Sequence, residues 1–391
     1  MSEYQYYEFR AIDRPLNREE MDELRDVSSR AEITPISFTN TYHWGNFKGD
    51  ITQLMDRFFD AFVYVANWGT RKLNLRIPRG FLDTQAYEPY FTSDSFYFVI
   101  RQEQIIIGFE VDEDPGGDWS EGEIWMPLLA PIRRALMHGD LRALYLGWLS
   151  QYSRMEPDDK YVDSDEVEPP VPPGLGTLTE ELEALADFLD IEPELLEVAA
   201  IASSAESVEA PAREEKLRWI QSLTVTEKNT YLLRFFADEG DTAIRAELYK
   251  RFRASGMDRS GPSRSKDSDR RTVGQLLALR DERSEVNARK AAKKAAKEKA
   301  DLEQKQAEWR EKHLDGVALR EPQIWVEVDR LLSKTRQNEY DEAVKLLVDL
   351  RDVSERSGRT PQFNQRMSVL RKHHSTKPSL IRRFDAHQLG V

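Results

Sequence analysis

Apolar positions recur along this chain first in strand-like and then in helical periods. Tyr4, Tyr6, Tyr7, Phe9 and Ile12 mark a strand over 4–12. Asn17 then opens a helix, with Glu20 placed to close a capping box and Met21 and Leu24 on the inner face. A second extended run at 33–42 puts Ile36, Phe38, Asn40 and Tyr42 on one side. Asp50 caps an apolar helix through Ile51, Leu54, Met55, Phe58, Phe59, Phe62 and Val63. Alternation over 72–77 stops at Pro78, and 96–100 with 105–111 read as a hairpin turning at Gln102 and Glu103. Helices near 124–137 and 140–154 follow. The order βαβαβ, hairpin, two helices predicts an α+β sandwich over 1–155, with helices on one sheet face.

Helical periods dominate the remainder. Residues 156–176 contain seven acidic residues and five prolines, the composition of a linker. Thr177 and Glu180 fit a capping box for a helix carrying Leu182, Leu185, Phe188 and Leu189, and Pro193 opens another with Leu195, Leu196 and Val198. Helices near 211–222 and 226–253 place Leu217, Trp219, Ile220, Tyr231, Leu232, Phe235 and Phe236 in the core of a bundle spanning 177–254. A polar linker is expected over 255–271, a long basic helix over 272–316, and a helical module with tetratricopeptide-like packing over 317–391.

Charge sharpens this division. Residues 1–250 hold 24 Lys+Arg against 48 Asp+Glu, whereas 251–391 hold 32 against 22, within a net charge of −14. A reversal of that size points to different partners for the two regions, since net charge governs association more than fold. Cysteine is absent from the 391 residues, which excludes disulfides, thiolate zinc sites and a cysteine nucleophile. The first residues lack the basic and apolar regions of a signal peptide, and no run has the roughly 18 apolar residues of a membrane span. The expectation is a cytoplasmic protein without membrane contact.

Three runs near the N-terminus, SEYQYYEF (2–9), SRAEITP (29–35) and YHWGNFKGD (42–50), resemble a family of bacterial proteins of unknown function. The resemblance is sharpest over about the first 75 residues. It implies a bacterial, cytoplasmic origin, and it carries no catalytic residue onto this chain.

Two stretches carry candidate binding chemistry. The loop 43–50 gathers His43, Trp44, Asn46 and Lys48 with two glycines just before a helix N-terminus, where free N–H groups and the helix dipole favour an anion. Arg71 is a candidate second wall. The competing reading is a structural turn with Trp44 as a core plug. Farther on, 287–301 has no apolar residue larger than Ala, and Arg289, Lys290, Lys293, Lys294, Lys297 and Lys299 crowd it. A helix without an apolar face is held by its own propensity. A polyanion laid along it would relieve the like-charge i, i+4 repulsion, and a solvated spacer arm is the competing reading.

Other motifs fail on their neighbours. The acidic turn from Asp112 to Glu123 has Asp and Gly at EF-hand positions, but Pro115 intrudes and a strand precedes it. A helix-turn-helix imitation over 185–200 would present Glu192, Glu194 and Glu197 to phosphates. The pair His373 and His374 lacks further ligands at metal-binding spacing. Phosphate-loop, dinucleotide, zincin and nucleophile-elbow signatures are all missing. No metal, cofactor or catalytic residue is therefore expected. The leading expectation is a non-enzymatic bacterial adaptor, with a partner-binding α+β head and a basic helical arm. The alternative is an accessory protein touching nucleic-acid backbone through 289–299 and the basic C-terminus, within a nucleic-acid-processing or defence complex. A metal-independent enzyme of unrecognised class is the third.

Overall fold

The computed structural model describes residues 3–82, 87–112, 121–153, 155–156, 162–204, 213–237, 241–256, 270–334 and 336–389. The chain divides into two compact units, 1–286 and 287–391.

The first unit is built on a seven-stranded sheet in which every neighbouring pair is antiparallel. Its strands are β1 (Gln5–Arg10), β2 (Glu32–Thr34), β3 (Ser37–Tyr42), β4 (Ala61–Ala66), β5 (Arg71–Pro78), β6 (Phe96–Arg101) and β7 (Gln104–Val111), in the order β2-β3-β1-β4-β5-β7-β6. Two helices interrupt the strands: α1 (Arg18–Val27) and α2 (Ile51–Arg57). Asn17 accepts from the Glu20 amide at 2.9 Å and the Glu20 carboxylate returns to the Asn17 amide, the predicted capping box. The β6–β7 hairpin turns at Gln102 and Glu103 as expected, with Gln102 at φ +50°.

The apolar run after Asp50 departs from the predicted helix. It stops at Arg57, and Ala61–Ala66 becomes β4, a central strand with every residue buried. Phe62, Val63, Tyr64 and Val65 are aromatic or β-branched, which suits a strand covered on both faces, and such a run has no period to separate it from a buried helix. The stretch 33–42 is likewise a hairpin, with β2 and β3 flanking an exposed Ile36.

Helices cover both faces of the central strands, where one covered face was predicted. On one side Tyr7, Phe9, Phe38, Phe62 and Tyr64 pack with Leu24 of α1 and Leu54 and Met55 of α2. On the other, Val63, Leu73, Leu75, Ile105, Ile107 and Phe109 meet α3 (Trp125–Met137), α4 (Arg142–Ser150), α5 (Glu180–Phe188) and α6 (Pro193–Ile201). Each such side chain contributes roughly 1.5–3 kcal/mol by leaving water. Pro193 opens α6 as expected, whereas the Thr177–Glu180 box does not form: the cap is Thr179, and its side chain makes no capping bond.

Because α5 and α6 share the sheet core, the division between units does not fall at 156–176. Residues 157–161 of that stretch lie outside the described residues, but Glu168, Pro169, Pro172 and Leu175 within 162–176 are buried. Glu168 is 1 % exposed and receives two bonds from Arg271, at 2.7 and 2.8 Å, and one from the Tyr145 hydroxyl. The amides of Glu168 and Val273 bond the carbonyls of Arg271 and Glu166, tying the strap to the start of α10 (Val273–Leu319). Of the acids in this stretch, Glu168 is held by a partner about a hundred positions away, whereas Asp163 and Asp165 are exposed. Most of the predicted linker 255–271, residues 257–269, lies outside the described residues.

Three helices complete the unit: α7 (Arg213–Ser222), α8 (Val225–Phe236) and α9 (Asp241–Ala254). Helix α9 docks on the turn after β5, where Phe81 meets Tyr249 at 5.2 Å and Arg253 bonds the Phe81 carbonyl.

The second unit contains the end of α10 with α11 (Glu321–Ser333), α12 (Gln337–Arg356), α13 (Thr360–His373) and α14 (Pro378–Ala386). Its core joins Leu314, Val317, Trp325, Val328, Leu347, Phe363, Met367, Leu380 and Phe384. Helix α10 continues through Gly316 to Leu319, past the predicted end, because Leu314 and Val317 are buried beneath it.

Candidate functional site

The predicted loop 43–50 sits at one end of the sheet on a polar anchor. The buried Gln5 amide donates to the Gly45 carbonyl at 2.9 Å and to Asn46 Oδ1 at 3.0 Å. Its oxygen accepts from Tyr7 and Tyr64 at 2.8 and 3.1 Å, which satisfies both ends of the group. Gly45 has φ +76°, a conformation glycine adopts without a Cβ penalty. At Gly49 an added Cβ would lie 2.4 Å from Phe47, so the chain passes tightly over that ring.

Phe47 is the plug of this loop, packing on Tyr7, Phe9 and Phe38 at ring distances of 5.3–6.1 Å. Trp44 is 70 % exposed, and His43 and Lys48 are also exposed, with His43 beside the Tyr4 ring at 6.1 Å. Arg71 is not brought to this loop. It lies on the face of Leu73 and Leu75, donates to the Asp187 carbonyl at 3.2 Å and approaches the Phe188 ring. The expected anion pocket also fails chemically. Helix α2 has only seven residues, and the Asp50 carboxylate occupies the Gln53 amide at 3.1 Å, placing a negative charge where an anion would sit.

The predicted cationic stripe lies on the solvated middle of α10, where residues 288–309 are all exposed, about 33 Å at 1.5 Å per residue. At about 100° per residue, Arg289, Lys290, Lys293, Lys294 and Lys297 fall within an arc of about 140°, with Lys299 outside it. Acids on the same helix approach Lys294 and Lys299, through Glu298 and Glu303, each at 4.0 Å. Contacts at that distance between exposed groups contribute little.

The buried charges of the sheet unit serve its architecture. Asp60, 1 % exposed, accepts from the amides of Ile12 and Asp13 at 2.7 and 2.8 Å and from Arg76 at 2.8 Å. Arg133 grips Asp13 through both nitrogens and bonds the Arg76 carbonyl, joining α3 to β5 and the end of β1. Burial alone would raise the Asp60 pKa, but Arg133, Arg76 and the Asp13 amide together hold it below the ordinary value. The acidic turn 113–120 lies outside the described residues, and no group of three or more metal-ligating side chains occurs among the described ones.

One surface was misread in the sequence. Trp219 and Tyr231 are buried as expected, yet Leu217 is 50 %, Ile220 44 %, Leu232 56 %, Leu233 68 % and Phe236 89 % exposed. On α8 the inner face is polar: Tyr231 and Arg234 bond Glu247 of α9, and Arg251 reaches Glu227. Val225, Leu232 and Phe236, spaced i, i+7, i+11, therefore share the outer side with Leu233 beside them. The signal available was the spacing of Glu227, Tyr231 and Arg234, a polar stripe opposite the apolar one.

Comparison with protein-family models, with curated proteins and with solved structures returns no match to this chain. No helix among the described residues is long and apolar enough to cross a membrane.

Proposed function

We propose that the protein is a non-enzymatic adaptor of the bacterial cytoplasm, which takes up a protein partner on the outer face of α8. The observation that carries this reading is the exposure of Val225, Leu232, Leu233 and Phe236 together on one side of a single helix, with Phe236, at 89 %, the most exposed large apolar side chain among the described residues. Contiguous apolar surface of this kind marks interaction sites, and aromatic residues, Phe included, are enriched at such interfaces. The rigidly anchored loop of Trp44 adds a second exposed aromatic at the sheet end. The bacterial setting rests on the resemblance of 2–9, 29–35 and 42–50.

Affinity capture from the native host tests the reading, with wild type beside the pair Leu232→Ser and Phe236→Ser. A stoichiometric partner held by wild type and lost from the variant is the expected result. Identical recoveries from the two proteins overturn it.

The solvated arc of Arg289, Lys290, Lys293, Lys294 and Lys297 favours a second reading, an accessory role on nucleic-acid backbone. Binding of that kind is independent of sequence, and its affinity falls linearly with salt on a log–log scale. Anisotropy titrations of a DNA duplex at low and physiological salt decide it. Changing Lys290, Lys293, Lys294 and Lys297 to Gln flattens the salt slope if the arc is the contact and leaves it unchanged if not.

A further inference from the structure

A groove runs along α13 and α14 in the second unit, lined by Gln365, Ser368, Val369, Arg371, Lys372 and Ile381, with a volume of 640 Å³. Gln365, Ser368, Val369 and Lys372 recur at i, i+3, i+4 and i+7, so they form one side of α13, and Ile381 of α14 supplies the opposite apolar wall. Val369 is 66 % exposed in the middle of this surface. Residues 360–389 contain six Lys and Arg against a single acid, Asp385, within a chain of net charge −14.

The cations here are not equivalent. Arg371 is engaged by Asp385 and by the Leu389 carbonyl, Arg383 by Asp341, and Arg366 stacks over Trp325 at 4.1 Å. Lys377 bonds the Leu332 carbonyl. Among the described residues no ion pair reaches Lys372, which is exposed beside the apolar floor. The groove thus presents one unengaged ammonium next to an exposed branched aliphatic, inside a positive field.

We propose that this groove binds an acidic, amphipathic helical segment of a protein partner. An apolar side chain of that segment sits on Val369 and Ile381, and a carboxylate one turn away meets Lys372. Charge complementarity names the acidic partner, because the surrounding field draws and orients a negative segment. The apolar floor favours a peptide over nucleic acid, since phosphates and sugars would leave Val369 uncovered. The volume is within the range of about 300–1,000 Å³ typical of ligand clefts. Helix-in-groove recognition uses the same i, i+3, i+4 and i+7 spacing on the bound segment. The inference extends the adaptor reading to a second surface, and its test leaves α8 untouched, so the two fail separately.

The test is selection of random helix-forming peptides displayed on phage against the immobilised full-length protein. Enriched peptides should carry Asp or Glu beside apolar residues at helical spacing. Their binding should weaken by about tenfold or more in Val369→Asp and in Lys372→Glu. A peptide with its key acid changed to Lys should recover binding to Lys372→Glu. Circular dichroism checks each variant, and Val369→Ser replaces Val369→Asp if the latter unfolds. Peptides without acidic character, equal binding to the variants, or no enrichment over Val369→Asp overturns the proposal. So does a DNA duplex that competes with the peptides and depends on the same two residues.

Discussion

Strand β1 and helix α8 are both rich in aromatic residues, and their side chains meet opposite fates. Tyr6, Tyr7 and Phe9 of β1 are 3 %, 7 % and 0 % exposed, whereas Phe236, Leu233 and Leu232 of α8 are 89 %, 68 % and 56 % exposed. Apolar content does not account for the difference. β1 pairs with β3 and β4 and is covered on both sheet faces, so both of its side-chain sets find neighbours. α8 touches its unit through one face, and that face is polar. Burial is therefore set by how many faces of an element the fold covers.

The largest expected effect tests the covered half. Phe9→Ala removes a ring that touches Phe38, Phe59 and Phe62, and urea unfolding should show a loss of about 3–5 kcal/mol. Arg271→Ala should cost about 3 kcal/mol in the same assay, because it leaves the Glu168 carboxylate buried without its cation. A loss under about 1 kcal/mol would mean that the strap 162–176 is not fastened as described.

Acid sharpens the comparison further. The folded pKa of Asp60 is held below the ordinary 3.8, so its contribution is present above that value and disappears as pH falls beneath it. Thermal melts should show Asp60→Asn less stable at neutral pH and less sensitive to acid than wild type. Equal slopes on the acid side would remove Asp60 from the account.

The smaller effects belong to solvated helix. Gly316 lies inside α10 with nothing within 4 Å of an added Cβ, so Gly316→Ala should stabilise the protein by about 0.5–1 kcal/mol. Leu232→Ser with Phe236→Ser should shift stability by no more than about 0.5 kcal/mol each, the behaviour of exposed positions.

Local chemistry was legible in the chain: the Asn17 and Glu20 cap, the turn at Gln102, Pro193 at the head of α6 and the α+β order all follow from neighbouring residues. What was hidden depends on distant ones. β4 looked helical because Phe58–Phe59–Phe62–Val63 fits either period until a second covering layer is known. The strap looked like a linker because Arg271 lies a hundred residues from Glu168. The α8 face looked like core because periodicity locates an apolar stripe without saying whether anything covers it. In the loop 43–50 the buried ring is Phe47, to which the sequence reading assigned no role, while Trp44, a core plug on the competing reading, is exposed.

The central claim is that the outer face of α8 meets a partner protein, and a photo-crosslinking residue at position 236 tests it most directly. Placed there in the native host, it should yield one discrete protein adduct after irradiation. The same residue at Val326, 68 % exposed on the other unit, serves as the control and should not yield that adduct. No adduct at 236, or the same adduct from both positions, would contradict the account.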